Sequence, residues 1–191
     1  AAATLAALVA GKRVALLGNG ETDRYGRLVG QLTAGDDRAQ WVQAALVRAG
    51  IALAAPGFGA PDCSKALLAH EERARLAKAG LWAERETSVQ EAASLADLRA
   101  RAGRFAVVEG VIRRVGEAGG WQFLDFGKRY REDFTVVVPR EAQSAFAAAD
   151  VDLKGLIGKR VRARGVLFLW GGPAMEIRVP AALEVVGAGA A

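Results

Sequence analysis

One cysteine, one histidine, one methionine and two tyrosines are all that 191 residues offer in those types, and each scarcity closes off a class of chemistry. A single thiol, Cys63, cannot form an intrachain disulfide and excludes a cysteine-rich metal site. It reads as a small buried apolar residue near a helix start, or as one half of a pair with sequence not shown here. His70 is equally alone, and among Glu71, Glu72, Arg73 and Arg75 it reads as a solvated helix side chain rather than a ligand or a base. No apolar run reaches the roughly 18 residues of a membrane span. The opening Ala1-Ala2-Ala3-Thr4-Leu5 lacks the basic leader, apolar core and cleavage site of a secretory signal, and reads as the middle of a longer sequence.

What is present is enough apolar material for packed cores, 52% of the chain, at a length that fits one large or two small domains. Residues 1–90 carry 11 basic and 9 acidic side chains and residues 91–191 carry 15 and 12, so the net charge of +5 divides as +2 and +3. That balance permits an anionic partner without requiring one.

Thr4 is a candidate cap for a short helix through Val9, ended by Gly11. Lys12 to Leu17 and Gly26 to Leu32 have strand character, joined as a hairpin by a long polar loop that begins Gly18-Asn19-Gly20. No Lys-Ser or Lys-Thr follows those glycines, which argues against a phosphate-cradling glycine loop. Val42, Leu46 and Val47 recur at helical spacing up to Gly50, and Ile51 to Ala55 reads as a short strand. After the loop Pro56 to Pro61, Asp62 is placed to cap a helix to about Lys78 with Leu67, Leu68 and Leu76 inward, and Trp82 closes the segment. The expected organisation is a first domain over 1–82, a helical linker over 83–103 with Ser94-Leu95-Ala96-Asp97 as an internal capping box, and a second domain over 104–187.

In that second domain Arg104–Val115, Trp121–Phe126 and Phe134–Val138 read as strands, Pro139–Ala149 as a helix, and Lys159–Trp170 and Ala174–Val179 as two further strands. Three strands, a helix and two strands is the chain order of an OB-fold, a five-stranded barrel. The expected class is therefore mainly β with α, an α+β chain with a partial barrel followed by a complete one. Phe123, Phe126 and Phe134 fit inward positions. The loop between the second and third strands gathers Lys128, Arg129, Tyr130 and Arg131, a composition suited to backbone charge plus base stacking; equally, Arg129 and Arg131 can pair with Glu132 and Asp133. Lys159, Arg160, Arg162 and Arg164 could extend a basic face, or form a solvated strand face.

The stretch with most chemical content is Asp23-Arg24-Tyr25-Gly26-Arg27, two guanidiniums and a phenol in one turn. Alone it is compatible with a hydrophilic hairpin turn in which Gly26 supplies backbone freedom. Followed by Leu28–Leu32, then Trp41–Gly50, then a charged helix ending Ala79-Gly80-Leu81-Trp82, it resembles the C-terminal two-thirds of the staphylococcal-nuclease-like (thermonuclease) domain, over residues 4 to 82. The second barrel is similar to the OB-like module attached C-terminally to some bacterial thermonuclease-like proteins. The resemblance implies a calcium-dependent phosphodiesterase acting on DNA or RNA. Arg27 then falls on the active-site arginine and Tyr25 on the tyrosine beside the bound phosphate, and Phe58 lies on a loop where relatives place stacking aromatics; Arg24, next to the first two, could add a phosphate contact. A guanidinium suits that role because its paired donors hold a phosphate oxygen and the extra charge of a pentacoordinate transition state.

The departures are as informative. The family's metal-binding aspartates, general-base glutamate and second arginine precede the segment matched here, so the calcium ligands are expected outside this chain, and Asp36 and Asp37 lie on the wrong side of the motif to replace them. Arginine alone does not assemble the oxygen cage or activated water that hydrolysis requires. The alternative is therefore a non-catalytic subunit that binds nucleic acid or scaffolds protein partners. Export to the periplasm, the medium or a membrane anchor is expected from the resemblance only.

Overall fold

The computed structural model describes residues 1–191 except 19, 21, 23, 24, 37, 38, 58–60, 85–87, 130, 131 and 188–191, together with the side chains of 61 and 62. It divides into two compact units, Ala1–Ser88 and Val89–Ala191. No described helix is long and apolar enough to cross a membrane.

The first unit opens with α1 (Ala2–Val9), ended by Gly11 at φ +70. Thr4 lies inside this helix rather than at its cap. Strand β1 (Val14–Leu17) pairs antiparallel with β2 (Gln31–Ala34), Leu17 opposite Gln31, and β2 pairs with the two-residue β3 (Gln40–Trp41). The hairpin expectation holds, but its second strand starts later than Gly26, with only an isolated bridge from Thr22 to Leu28 inside the loop. Two glycines set that geometry. A Cβ on Gly30 would lie 2.5 Å from the Leu17 carbonyl oxygen, and one on Gly18 would lie 2.7 Å from that of Val29, so the two backbones approach more closely than any side chain allows.

Helix α2 (Val42–Arg48) packs on β2, and α3 (Pro61–Leu76) packs on α2. The expected strand Ile51–Ala55 is irregular instead: the Ala54 N–H donates to the buried carboxylate of Glu71 on α3 at 2.7 Å rather than to a ladder partner. The inward face of α3 uses Ala74 and Glu71, while Leu76, expected inside, is 71% exposed, because the helix ends there and its last turn projects past the packed face. His70 is half-buried rather than solvated, and Asp62, the expected cap, has a side chain outside the described set. Trp82 is buried in a short 3-10 turn. All four residues of β1 are exposed, Val14, Leu16 and Leu17 among them, so this sheet presents an uncovered apolar face and an open edge.

In the second unit β4 (Gln90–Glu91) and α4 (Leu95–Ala100) come first. Of the span 83–103 read as a linker, the residues from Val89 onward are packed into this unit, with Leu98 fully buried in its core. Ser94 stands at the N-cap of α4, but its side chain makes no cap hydrogen bond, so the capping box is absent. Then follow β5 (Phe105–Val111), β6 (Arg114–Ala118), β7 (Trp121–Asp125), β8 (Thr135–Val138), α5 (Arg140–Ala148), β9 (Arg160–Trp170), β10 (Gly172–Glu176) and β11 (Leu183–Val185).

The pairing runs β6, β7, β8, β10, β9, β5, antiparallel at every step except β8 with β10, which is parallel. Because β5 and β6 are two halves of one strand path bent at Ile112 and Arg113, the circuit closes on itself, which is the five-stranded OB barrel. Val108, Ile112, Leu124, Phe134, Val136, Val138, Phe146, Val161, Leu167, Met175 and Ile177 fill its interior. The fold class is α+β as the sequence order indicated.

Candidate functional site

Arg27 sits in the loop between β1 and β2, one residue before the Thr22–Leu28 bridge and next to Gly26 at φ +75. Its guanidinium carbon lies 5.2 Å from the centroid of the Tyr25 ring, a cation–π pairing that orients both side chains. Tyr25 is 65% exposed. The structure therefore brings two of the motif's members together, while Arg24 and Asp23 lie outside the described residues.

Arg27 also lines a cleft of about 470 Å3. One wall is Leu28 to Gln31, a second comes from Gln43, Leu46 and Val47 of α2, and the third from Ala52 to Pro56 with Ser64 and Leu67 of α3. Two polar side chains that the sequence reading passed over hold these walls. Gln43 donates to the Gly30 carbonyl at 3.1 Å and accepts from the Leu32 N–H at 2.9 Å, fixing the strand end to α2. Glu71 fixes the opposite loop at Ala54. Neither carries a sequence signal, since each looks like an ordinary solvated helix residue until its backbone partner is known. Chemically the cleft is apolar with a cation in its lining. It can hold an anion near Arg27, and none of its described lining residues is a carboxylate or a histidine.

The described residues do not fit a calcium site. No group of three His, Cys, Asp or Glu side chains is positioned to share a metal among them, and a hard divalent cation requires several oxygens together. Asp36 is spent on an exposed ion pair with Arg13 at 3.7 Å, and Asp37 lies outside the described residues.

In the second unit Arg129 of the cationic loop is engaged by its near neighbours. Arg129 pairs with Glu132 at 3.0 Å, and its backbone N–H donates to Asp133 at 2.8 Å. Lys128 is exposed, and Tyr130 and Arg131 lie outside the described residues, as does Phe58 of the first unit. The arginines of β9 are not a basic face. Arg160 bonds Glu109 at 2.6 Å and Glu91 at 2.8 Å, Arg162 bonds Glu109 at 2.8 Å, and Arg164 is paired with Glu184. Burial pushes the Glu109 carboxyl up, but the hydrogen bonds and charge of Arg160 and Arg162 outweigh it and hold the group below its usual range. These arginines are consumed in fastening β9 to its neighbours.

A correction concerns the phenylalanines. Phe134 is fully buried, with Phe126 tilted against it at 5.0 Å. Phe123 instead faces outward, because Leu124 takes the core side of β7 and alternation puts its neighbour on the other face. It stacks on Trp170 with ring centroids 5.5 Å apart.

Comparison with known proteins places the first unit. Residues 1–84 match the family described as staphylococcal nuclease homologue. No curated protein matches. Among solved structures, aspartyl tRNA synthetase from Entamoeba histolytica is 13% identical with a TM-score of 0.38, over 49% of this chain and 20% of that one. An OBody bound to hen egg-white lysozyme is 14% identical with a TM-score of 0.36, over 51% and 91%. Asparaginyl-tRNA synthetase from Pyrococcus horikoshii is 16% identical with a TM-score of 0.35, over 48% and 22%. The chain thus spans about a fifth of either synthetase.

Proposed function

We propose that this chain is the phosphate-holding and strand-binding portion of a nuclease-type protein whose partner is DNA or RNA. The observation that carries the reading is Arg27, stacked on Tyr25 at 5.2 Å and lining an open cleft within the segment that matches the nuclease family. In this role Arg27 pairs with a phosphate oxygen through its planar donors while the Tyr25 ring limits how the guanidinium turns. Gln43 and Glu71 act at one remove, by holding the walls on which that loop rests.

Metal-dependent hydrolysis is the finer form of this reading. It depends on carboxylates from residues beyond these 191, which would add strands to the exposed β1 edge. The second form is nucleic-acid binding without chemistry. One assay separates them: a labelled single-stranded polynucleotide is incubated with the protein in calcium and in chelator. Calcium-dependent cleavage supports the enzyme, and salt-sensitive retention without cleavage supports the binder. Absence of both, with capture that salt does not weaken, would overturn nucleic acid as the partner.

A further inference from the structure

The outer face of the second barrel carries a groove that neither the Arg27 motif nor the cationic loop predicts. It has a volume of about 560 Å3 and is lined by Ala118, Gly119, Trp121, Phe123, Phe168 and Trp170, with Val137 and Glu176 also in the lining. Register explains the clustering. Phe123 is opposite Val137 and Gly116 on its two neighbours, Trp121 is opposite Ala118, and Trp170 is opposite Gly172. Rings from β7 and β9 thus stand on one face with small residues beside them. A Cβ built on Gly116 would have nothing within 4 Å, so the approach over β6 is open.

Three of these rings are reachable by solvent to an unusual degree for their size: Trp121 is 37% exposed, Phe168 37% and Trp170 39%. The other two tryptophans differ. Trp82 is buried and Trp41 is tied to Gln31 at 2.7 Å. Phe123 stacks against Trp170 from within the groove, so the exposed ring is already oriented and little order remains to be imposed by a ligand.

Charge selects among ligands for such a surface. Both carboxylates on this face are already engaged, Glu176 by Arg178 at 2.5 Å and Asp125 by Arg114 at 2.7 Å. Glu117 alternates to the other face of β6. At the rim, the stem of Arg140 lies against Gly120, 3.2 Å from where a Cβ would stand, and Arg140 has no carboxylate partner among the described residues. Rings flanked by a cation and by neutralised carboxylates suit an anionic ligand with flat apolar faces.

The geometry points to a base-stacking platform: the groove between Trp121 and Trp170 takes unpaired bases of a single-stranded nucleic acid, with Arg140 beside the backbone. It rests on the reading of nucleic acid as the partner, but on the second unit's residues and not on Arg27. Paired bases are covered on both faces by their neighbours and cannot reach rings set in a groove, so the platform selects single strands. Stacking is sequence-tolerant because every base has a π-face.

The test uses the full chain, a labelled oligothymidylate and an abasic deoxyribose-phosphate strand of equal length, read by fluorescence anisotropy. The expected result is that oligothymidylate binds about ten-fold or more tightly than the abasic strand. Trp170→Ala should bring that ratio close to one while leaving abasic binding unchanged, and Trp170→Phe, which keeps a ring, should retain most of it. Trp121→Ala serves as the second variant if circular dichroism shows Trp170→Ala to be misfolded. Arg27→Ala should weaken both strands by one common factor, so loss of the Arg27 effect with the ratio intact overturns the role of Arg27 and leaves the platform standing. Equal binding of the two strands by the wild-type chain overturns the platform. So does a ratio that survives both tryptophan variants, or Trp170-dependent self-association in sedimentation with no strand bound.

Discussion

Replacing Glu109 by glutamine removes the carboxylate that Arg160 and Arg162 share. In the wild-type barrel its two oxygens serve different partners, Oε1 accepting from Arg160 at 2.6 Å and Oε2 accepting from Arg162 at 2.8 and 3.2 Å. The Arg162 side chain is only 10% exposed and that of Glu109 14%, whereas Arg160 is 43% exposed and keeps Glu91. Breaking a fully buried pair costs about 3–5 kcal/mol; one partner here is half in water and retains a second carboxylate, so about 2–3 kcal/mol is the expected loss. Because the residue lies in β5 opposite Arg162 of β9, the loss should be read at that ladder. Hydrogen exchange of the Val107–Val111 amides should accelerate about 30- to 150-fold. An acceleration below about three-fold would mean that these guanidiniums are solvated in the native state, and would return them to the list of candidate phosphate contacts.

The same cluster sets an acid limit. A carboxyl held below its ordinary value of 4.5 contributes stability that is present above that value and is lost as pH falls through the depressed folded value. The second unit should therefore lose stability progressively below about pH 4.5 in the wild-type chain and less steeply in Glu109→Gln, as melting at stepped pH would show. In the first unit Gly30→Ala places a methyl 2.5 Å from the Leu17 carbonyl oxygen and 3.0 Å from Leu16 Cδ1, with backbone on one side that cannot yield. We expect about 1–3 kcal/mol of destabilisation and weaker strand binding, because the displaced hairpin carries Arg27. Gly116→Ala, with open space around it, should leave the unfolding free energy from urea titration within about 0.5 kcal/mol of wild type; equal effects of the two substitutions would contradict the close-approach argument.

The barrel of the second unit was legible because its signals are local. Alternation in Trp121–Asp125 and the β-branched run before Pro139 mark strands without reference to anything distant. What was illegible depends on partners far along the chain. Arg160, Arg162 and Arg164 look like a basic stripe until β5 and β11 supply Glu109 and Glu184. Phe123 looked like core because alternation fixes which residues share a face but not which face is inside, and the burial of Leu124 decides that. Ile51–Ala55 has strand composition, yet Glu71 draws its backbone out of any ladder. At the candidate site the Arg27–Tyr25 pairing follows from a spacing of two in one turn, while the cleft beside it is assembled from α2, α3 and the loop between them, which no short motif encodes. The aromatic groove combines both limits, since its rings lie about 45 residues apart and meet only when β7 and β9 are folded into one barrel.

The central claim is that the Arg27 guanidinium meets a phosphate, and the salt dependence of strand binding tests it without requiring catalysis. Log affinity for a single-stranded polynucleotide should fall linearly with log salt concentration. Arg27→Ala should make that slope shallower by about 0.7, the value for one phosphate contact on a single strand, with Arg27→Lys restoring most of it because a point charge still releases a counterion. A slope unchanged by Arg27→Ala, in a variant that melts like wild type, would contradict the account.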